Sequence, residues 1–219
     1  MNQKRWIVKG IFLDLDGTIM DSKEAYLEAL NTAFRIMGKG KIDSRAVMEI
    51  PKRLEQGLPI DDIIEGIDAQ SFLETYLEAY YKATAAKTKP LPNISNTLSR
   101  LSKKAELIVI TMRHVPGREV LKELERFDMA KYFQQVITAL DPCRPKPSPE
   151  ALIECTRRLG VKTHECIVVG DSVVDIRAGK NAGAQTVAVL SGIFSRKELE
   201  TEKPDLILES VNELPDFLE

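Results

Sequence analysis

Residues 12–19 read Phe12-Leu13-Asp14-Leu15-Asp16-Gly17-Thr18-Ile19, and the apolar run 7–15 leads into them. A stretch this rich in Ile, Val, Phe and Leu, and this short, reads as a strand buried on both faces. Side chains alternate along a strand, so Asp14 and Asp16 fall on one face if it continues, and Gly17 permits a sharp exit. Two carboxylates that close repel unless a cation or a proton separates them. An Asx-type turn after the strand is the plainer reading of the same residues. Asp-x-Asp-Gly also hints at an EF-hand loop, but the twelfth position is Ala25, not glutamate, and a buried strand flanks the motif.

Outward from that strand, residues 107–110, 166–169 and 186–190 have the same apolar character, and 206–208 is a weaker run. Helical patterns lie between them. Residues 116–127 open on Pro116 and space Val120, Leu121, Leu124 and Phe127 for one face. Residues 149–159 follow Ser148, a good N-cap, and stop before Gly160; a third helix covers 173–182. Strands alternating with helices predict an α/β fold with a doubly wound, Rossmann-like parallel sheet. Residues 16–106 break the alternation, because a simple crossover needs only about a dozen residues. That stretch reads as helical over 22–37, 45–67 and 69–86, the last with Phe72, Leu73, Tyr76, Leu77, Tyr80 and Tyr81 on one broad face. The expected organisation is a core domain of residues 1–20 and 88–219, with a small all-helical domain, 21–87, inserted after the first strand.

The composition suits a soluble globular chain: 219 residues, 43% hydrophobic and 29% charged, with a formal net charge of −2. No global basic field recruits nucleic acid or an acidic membrane, and no apolar run reaches the roughly 20 residues needed to span a bilayer. Lys9 and Asp14 interrupt the N-terminal apolar stretch, and no small-residue cleavage site follows, so it reads as a strand and not a signal peptide. Cys143, Cys155 and Cys166 have no metal-finger spacing; reduced thiols in a cytoplasmic protein are the expectation, with one disulfide as the alternative.

Ligands of open α/β sheets bind beyond the carboxyl ends of the strands. Asp14 and Asp16 stand at one such end, Thr111 at a second and Asp171 at a third; Lys146 lies in the proline-rich turn Arg144-Pro145-Lys146-Pro147-Ser148-Pro149. Taken singly, each has a bland reading. Asp171 could cap a helix, Asp175 could be a first-turn surface acid, Lys146 could be solvated, and threonine commonly ends strands. Taken together, four acids on one sheet edge need compensating charge. A hard divalent cation with oxygen ligands, Mg²⁺ above all, would supply it.

The four segments resemble, in order and spacing, the four motifs of the haloacid dehalogenase superfamily, and specifically its phosphoglycolate-phosphatase-like branch with a helical cap. They are residues 12–19, Val109-Ile110-Thr111, the Lys146 turn and Val168-Val169-Gly170-Asp171-Ser172-Val173-Val174-Asp175. The resemblance implies a magnesium-dependent phosphatase acting on a small phosphomonoester metabolite. Asp14 would be the nucleophile that forms an aspartyl-phosphate, and Asp16 the acid and then the base. Thr111 would donate to a phosphoryl oxygen, and Lys146 would offset charge between Asp14 and the phosphate. Asp14, the backbone carbonyl of Asp16, and Asp171 would hold Mg²⁺, while Asp175 would order water or Lys146.

Dehalogenases of this superfamily carry tyrosine where Asp16 stands, and phosphonatases lack the second acid, so phosphate esters are favoured. A phosphomutase of the beta-phosphoglucomutase kind keeps every motif and stays open, as does a non-catalytic binding protein with the same fold. Many relatives follow the threonine with asparagine and a small residue or lysine, whereas here Met112-Arg113-His114 follow Thr111. Arg113, and Arg53 in the cap segment Pro51-Lys52-Arg53, are candidate substrate contacts, with a solvated loop and a plain surface charge cluster as the respective alternatives. Phosphoglycolate is the first guess for substrate; the partner is a small phosphorylated metabolite, with no nucleic acid and no membrane, and the chain is a monomer or homodimer.

Overall fold

The computed structural model describes residues 5–40 and 48–219. Six strands form one parallel sheet in the order β5-β4-β1-β6-β7-β8. They are β1 (Gly10–Leu13), β4 (Glu106–Ile110), β5 (Phe133–Ile137), β6 (Cys166–Gly170), β7 (Gln185–Val189) and β8 (Leu206–Leu208). Two short strands, β2 (Met20–Asp21) and β3 (Lys89–Pro90), pair with each other.

The period of two sorts the side chains of the sheet. Ile11, Leu13, Leu107, Val109, Ile167, Val169, Val187 and Val189 share one buried cluster with Leu98 of α4 (Ile94–Leu101) and Leu124 of α5 (Gly117–Arg126). Phe12, Ile108, Ile110, Cys166 and Val168 share another with Leu152 of α6 (Glu150–Leu159) and Ala178 of α7 (Val173–Ala182). Helices on both faces leave the inner strands no solvent side, which is why their sequences run apolar without alternation.

The strand expected over 7–15 is narrower. Ile7 is exposed, and the ladder covers Gly10–Leu13, because only there do β4 and β6 flank the chain on both sides. Strand β5 was not evident in the sequence. Its Phe-Gln-Gln-Val-Ile segment sits at the sheet edge, half-covered, where glutamines keep water contact and leave no buried-strand signature.

The chain divides into two compact units, Met1–Met20 with Pro90–Glu219, and Asp21–Lys89. The second unit contains α1 (Lys23–Ile36), α2 (Glu49–Glu55) and α3 (Ala69–Lys87). Small residues Ala25, Ala29 and Ala33 on α1 let α3 approach closely, and aromatic rings join the pair. Tyr26 stacks on Tyr80 with centroids 5.0 Å apart, and Phe34 meets Phe72 at 4.9 Å. Asp68 caps α3 by accepting from the Ser71 amide at 2.8 Å. Of the helix expected over 45–67, residues 45–47 lie outside the described residues and only 49–55 are helical. Gly57 then takes a positive φ of 66°, and turns follow around Pro59.

Candidate active site

The parallel registers bring the strand ends level. Leu13 pairs with Val109 of β4 and Val169 of β6, and the Asp14 amide extends the ladder to the Val169 carbonyl at 2.9 Å. The chain runs outward from β1 through β4 to β5, then returns to β6 on the other side of β1 and continues to β8. The carboxyl end of β1 is therefore a topological switch point, where a crevice opens between crossovers that leave in opposite directions.

Asp14, Asp171 and Asp175 meet at this point, each buried, with one carboxylate oxygen of each inside a 4.8 Å spread. Lys146 reaches the same place from its proline-rich turn. Its Nζ donates to Asp14 Oδ1 at 2.5 Å, to Asp175 Oδ1 at 2.5 Å and to the Ile110 carbonyl at 2.9 Å. Asp175 closes a capping box at the start of α7, its Oδ2 accepting from the Ser172 amide at 3.1 Å. Both oxygens of Asp175 are thus engaged, one ordering Lys146 and the other the helix terminus. Burial is the largest influence on Asp14 and pushes its carboxyl up; Lys146 pulls it down, and Asp175 and Asp171 push it up further, leaving it well above the ordinary value. Burial, again the largest single influence, pulls the Lys146 ammonium down, but Asp14 and Asp175 together outweigh it, so it stays charged.

Asp171 sits in a slot between two glycines. A Cβ on Gly17, which has a φ of 87°, would lie 2.6 Å from the Asp171 Cγ, and one on Gly192 would lie 1.6 Å from its Oδ2. The Ile193 amide donates to that oxygen at 3.1 Å, and the Ser191 hydroxyl donates to the Gly17 carbonyl at 2.6 Å. The turn after β7 therefore backs the acidic loop after β1. Sequence reading missed Ser191, Gly192 and Ile193; a glycine just past a strand at the carboxyl edge was the available signal.

A different cation holds Asp16. Arg113 binds its carboxylate with a guanidinium fork, Nε to Oδ2 at 2.7 Å and NH2 to Oδ1 at 2.6 Å, and its NH1 bonds Glu123 of α5. The solvated-loop reading of Arg113 is corrected: its side chain is only 4% exposed, because two acids take its charge. Thr111 is buried beside it; its amide donates to the Ile137 carbonyl at 2.9 Å, and its hydroxyl accepts from the Arg113 amide at 3.3 Å. Arg53, on α2, bonds Glu49, Asp62 and the Pro59 carbonyl.

The residues fit a divalent cation. The three clustered side-chain donors are carboxylate oxygens, which suit a hard ion. Three carboxylates against one ammonium leave a formal charge of −2 when all are ionised, which a divalent cation would offset. Asp14 and Asp171 would hold the ion.

A doubly wound parallel sheet with an acid–lysine centre at its switch point defines an α/β protein with a charged crevice at the carboxyl edge of its sheet. The chain belongs to the haloacid dehalogenase-like hydrolase family, whose model matches residues 11–189, and it is a hydrolase. The phosphoglycolate phosphatase of Escherichia coli strain K12 is 29% identical over 231 residues, spanning 94% of this chain and 91% of that protein. A haloacid dehalogenase-like family hydrolase from Streptococcus pneumoniae superposes with a TM-score of 0.80 at 20% identity, over 96% of this chain and 98% of that one. A predicted phosphoglycolate phosphatase from Haemophilus somnus superposes at 0.78 with 21% identity, over 99% and 98%. Among the described residues no helix is long and apolar enough to cross a membrane.

Proposed function

We propose that this chain is a Mg²⁺-dependent cytoplasmic phosphatase that hydrolyses a small anionic phosphomonoester through an aspartyl-phosphate on Asp14. The observation that carries the reading is the buried Asp14–Lys146–Asp175 constellation beside Asp171. A bound divalent cation would supply the positive charge that lets a carboxylate approach an anionic phosphate. In the first step, entered with Asp16 protonated, an Asp14 oxygen bonds to phosphorus, the ester P–O bond breaks, and Asp16 gives that proton to the leaving oxygen. In the second, Asp16 takes a proton from water, the water oxygen bonds to phosphorus, and the Asp14–phosphorus bond breaks. Lys146 holds Asp14 in place and offsets charge throughout. Thr111 accepts from the Arg113 amide, which leaves its single O–H for a phosphoryl oxygen.

Phosphoglycolate is the first substrate to try, because curated relatives carry that activity in their names. The test is a panel of phosphorylated metabolites scored by kcat/KM with Mg²⁺ and with chelator, with both products measured. Hydrolysis that needs Mg²⁺ and vanishes in Asp14→Asn supports the reading. Full activity in excess chelator rejects it, and so does phosphate returned to sugar without release.

A further inference from the structure

We propose that Arg113 is a positioning residue for Asp16, with Glu123 fixing Arg113 in turn; this rests on the role given to Asp16 above. Four carboxylates, Asp14, Asp16, Asp171 and Asp175, are brought to one sheet edge, and two cations divide three of them. Lys146 gathers Asp14 and Asp175. Arg113 takes both oxygens of Asp16 in a planar fork, and the Asp16 carboxylate does not join the group formed by the other three. A planar guanidinium bound at two points fixes the orientation of a carboxylate as well as its distance, which a lysine cannot do.

The anchor is itself held at several points. The Arg113 amide donates to Thr111 Oγ1 at 3.3 Å, and its carbonyl accepts from the Ala139 amide at 3.1 Å, so the backbone is pinned just beyond β4. NH1 bonds Glu123, whose side chain is 11% exposed on the inward side of α5. A guanidinium that is buried and turned toward two carboxylates is poorly placed to grip a phosphate. Its contribution to a reaction is to keep the acid–base group where the leaving oxygen and the water arrive. Displacement of a reacting group by about 1 Å costs on the order of a hundredfold in rate.

The experiment compares Arg113→Ala, Arg113→Lys and Glu123→Gln with the parent protein on two esters with Mg²⁺. 4-Nitrophenyl phosphate has a leaving group that needs no proton, whereas phosphoglycolate leaves as an alkoxide that does. For Arg113→Ala we expect kcat on phosphoglycolate to fall by about tenfold to a hundredfold, with KM within about threefold of the parent. The first-turnover burst of 4-nitrophenolate should fall far less, Arg113→Lys should recover part of the loss, and Glu123→Gln should show a weaker form of the same pattern. In an Asp16→Asn background, Arg113→Ala should add almost nothing. A KM raised about tenfold or more at unchanged kcat would assign Arg113 to substrate, and full additivity with Asp16→Asn would show that it does not act through Asp16; either overturns the proposal. A crystal structure of Arg113→Met reads the same question without activity. Asp16 in a new rotamer supports the proposal, and an unmoved Asp16 refutes it even if neither ester proves to be a substrate.

Discussion

Replacing Gly192 with alanine would put a methyl group 1.6 Å from Oδ2 of Asp171, 2.1 Å from Cγ and 2.5 Å from Cβ. A carbon does not settle that close to another atom, and the clash reaches the Asp171 Cβ, so a rotation of the carboxylate alone does not relieve it. Nor can Asp171 retreat toward Gly17, whose missing side chain already makes room for the same carboxyl group. Either Asp171 or the turn after β7 must shift by about 1–2 Å, and the bond from the Ile193 amide is lost with it. Overpacking costs about 1–3 kcal/mol and a hydrogen bond to a charged group is worth about 1.5–3 kcal/mol; the two overlap, so about 2–4 kcal/mol of stability should disappear. A displaced cation ligand should also weaken Mg²⁺ binding and lower kcat by on the order of a hundredfold. The assays are urea denaturation, Mg²⁺ titration by calorimetry, and phosphate release. Gly40→Ala, where none of the described residues lies within 4 Å of the added carbon, is the matched control and should be silent. A Gly192→Ala protein with parental stability and parental Mg²⁺ affinity would refute the glycine-slot argument.

Lys146→Met should lose about 3–5 kcal/mol, because it strands Asp14 and Asp175 as buried carboxylates without their ammonium; a denaturation midpoint near the parent's would contradict this. Burial pushes the Cys155 and Cys166 thiols up to about 11 each. At pH 8 Ellman's reagent should therefore modify the half-buried Cys143 first and the other two only on unfolding; three equally fast thiols would argue against it. These raised values also set a sign. Protons held by the folded protein are given up by unfolded thiols near pH 8.5, so the stabilisation is complete below about pH 8.5 and is lost as pH rises to about 11. The denaturation midpoint should fall across that window, and by less in Cys155→Ala relative to its own neutral-pH value. Arg53→Ala should leave the denaturation midpoint near the parent's and the order of preferred esters unchanged, since its guanidinium serves Glu49, Asp62 and the Pro59 carbonyl; a reordered panel would restore Arg53 as a specificity residue.

The fold class was legible because buried parallel strands have to be apolar along their whole length. Residues 107–110 and 166–169 announced β4 and β6 for that reason, and the acids just past the strands marked the carboxyl edge. Strand β5 was not legible, because an edge strand tolerates Gln134 and Gln135 and so carries no such constraint. Asp14, Asp171, Asp175 and Lys146 were nameable from local motifs, since each sits at a strand end, in the first turn of the helix that follows one, or in a proline-rich turn. What the chain order could not express is that Arg113 meets Asp16 and that a glycine past β7 makes room for Asp171. Arg113 lies 97 positions from Asp16, and Gly192 is far in sequence from Gly17, yet sheet register sets them side by side. Those pairings depend on the order of strands across the sheet and on the rotation of each side chain at its end. Both are properties of the packed tertiary structure, with no trace in the spacing of residues along the chain.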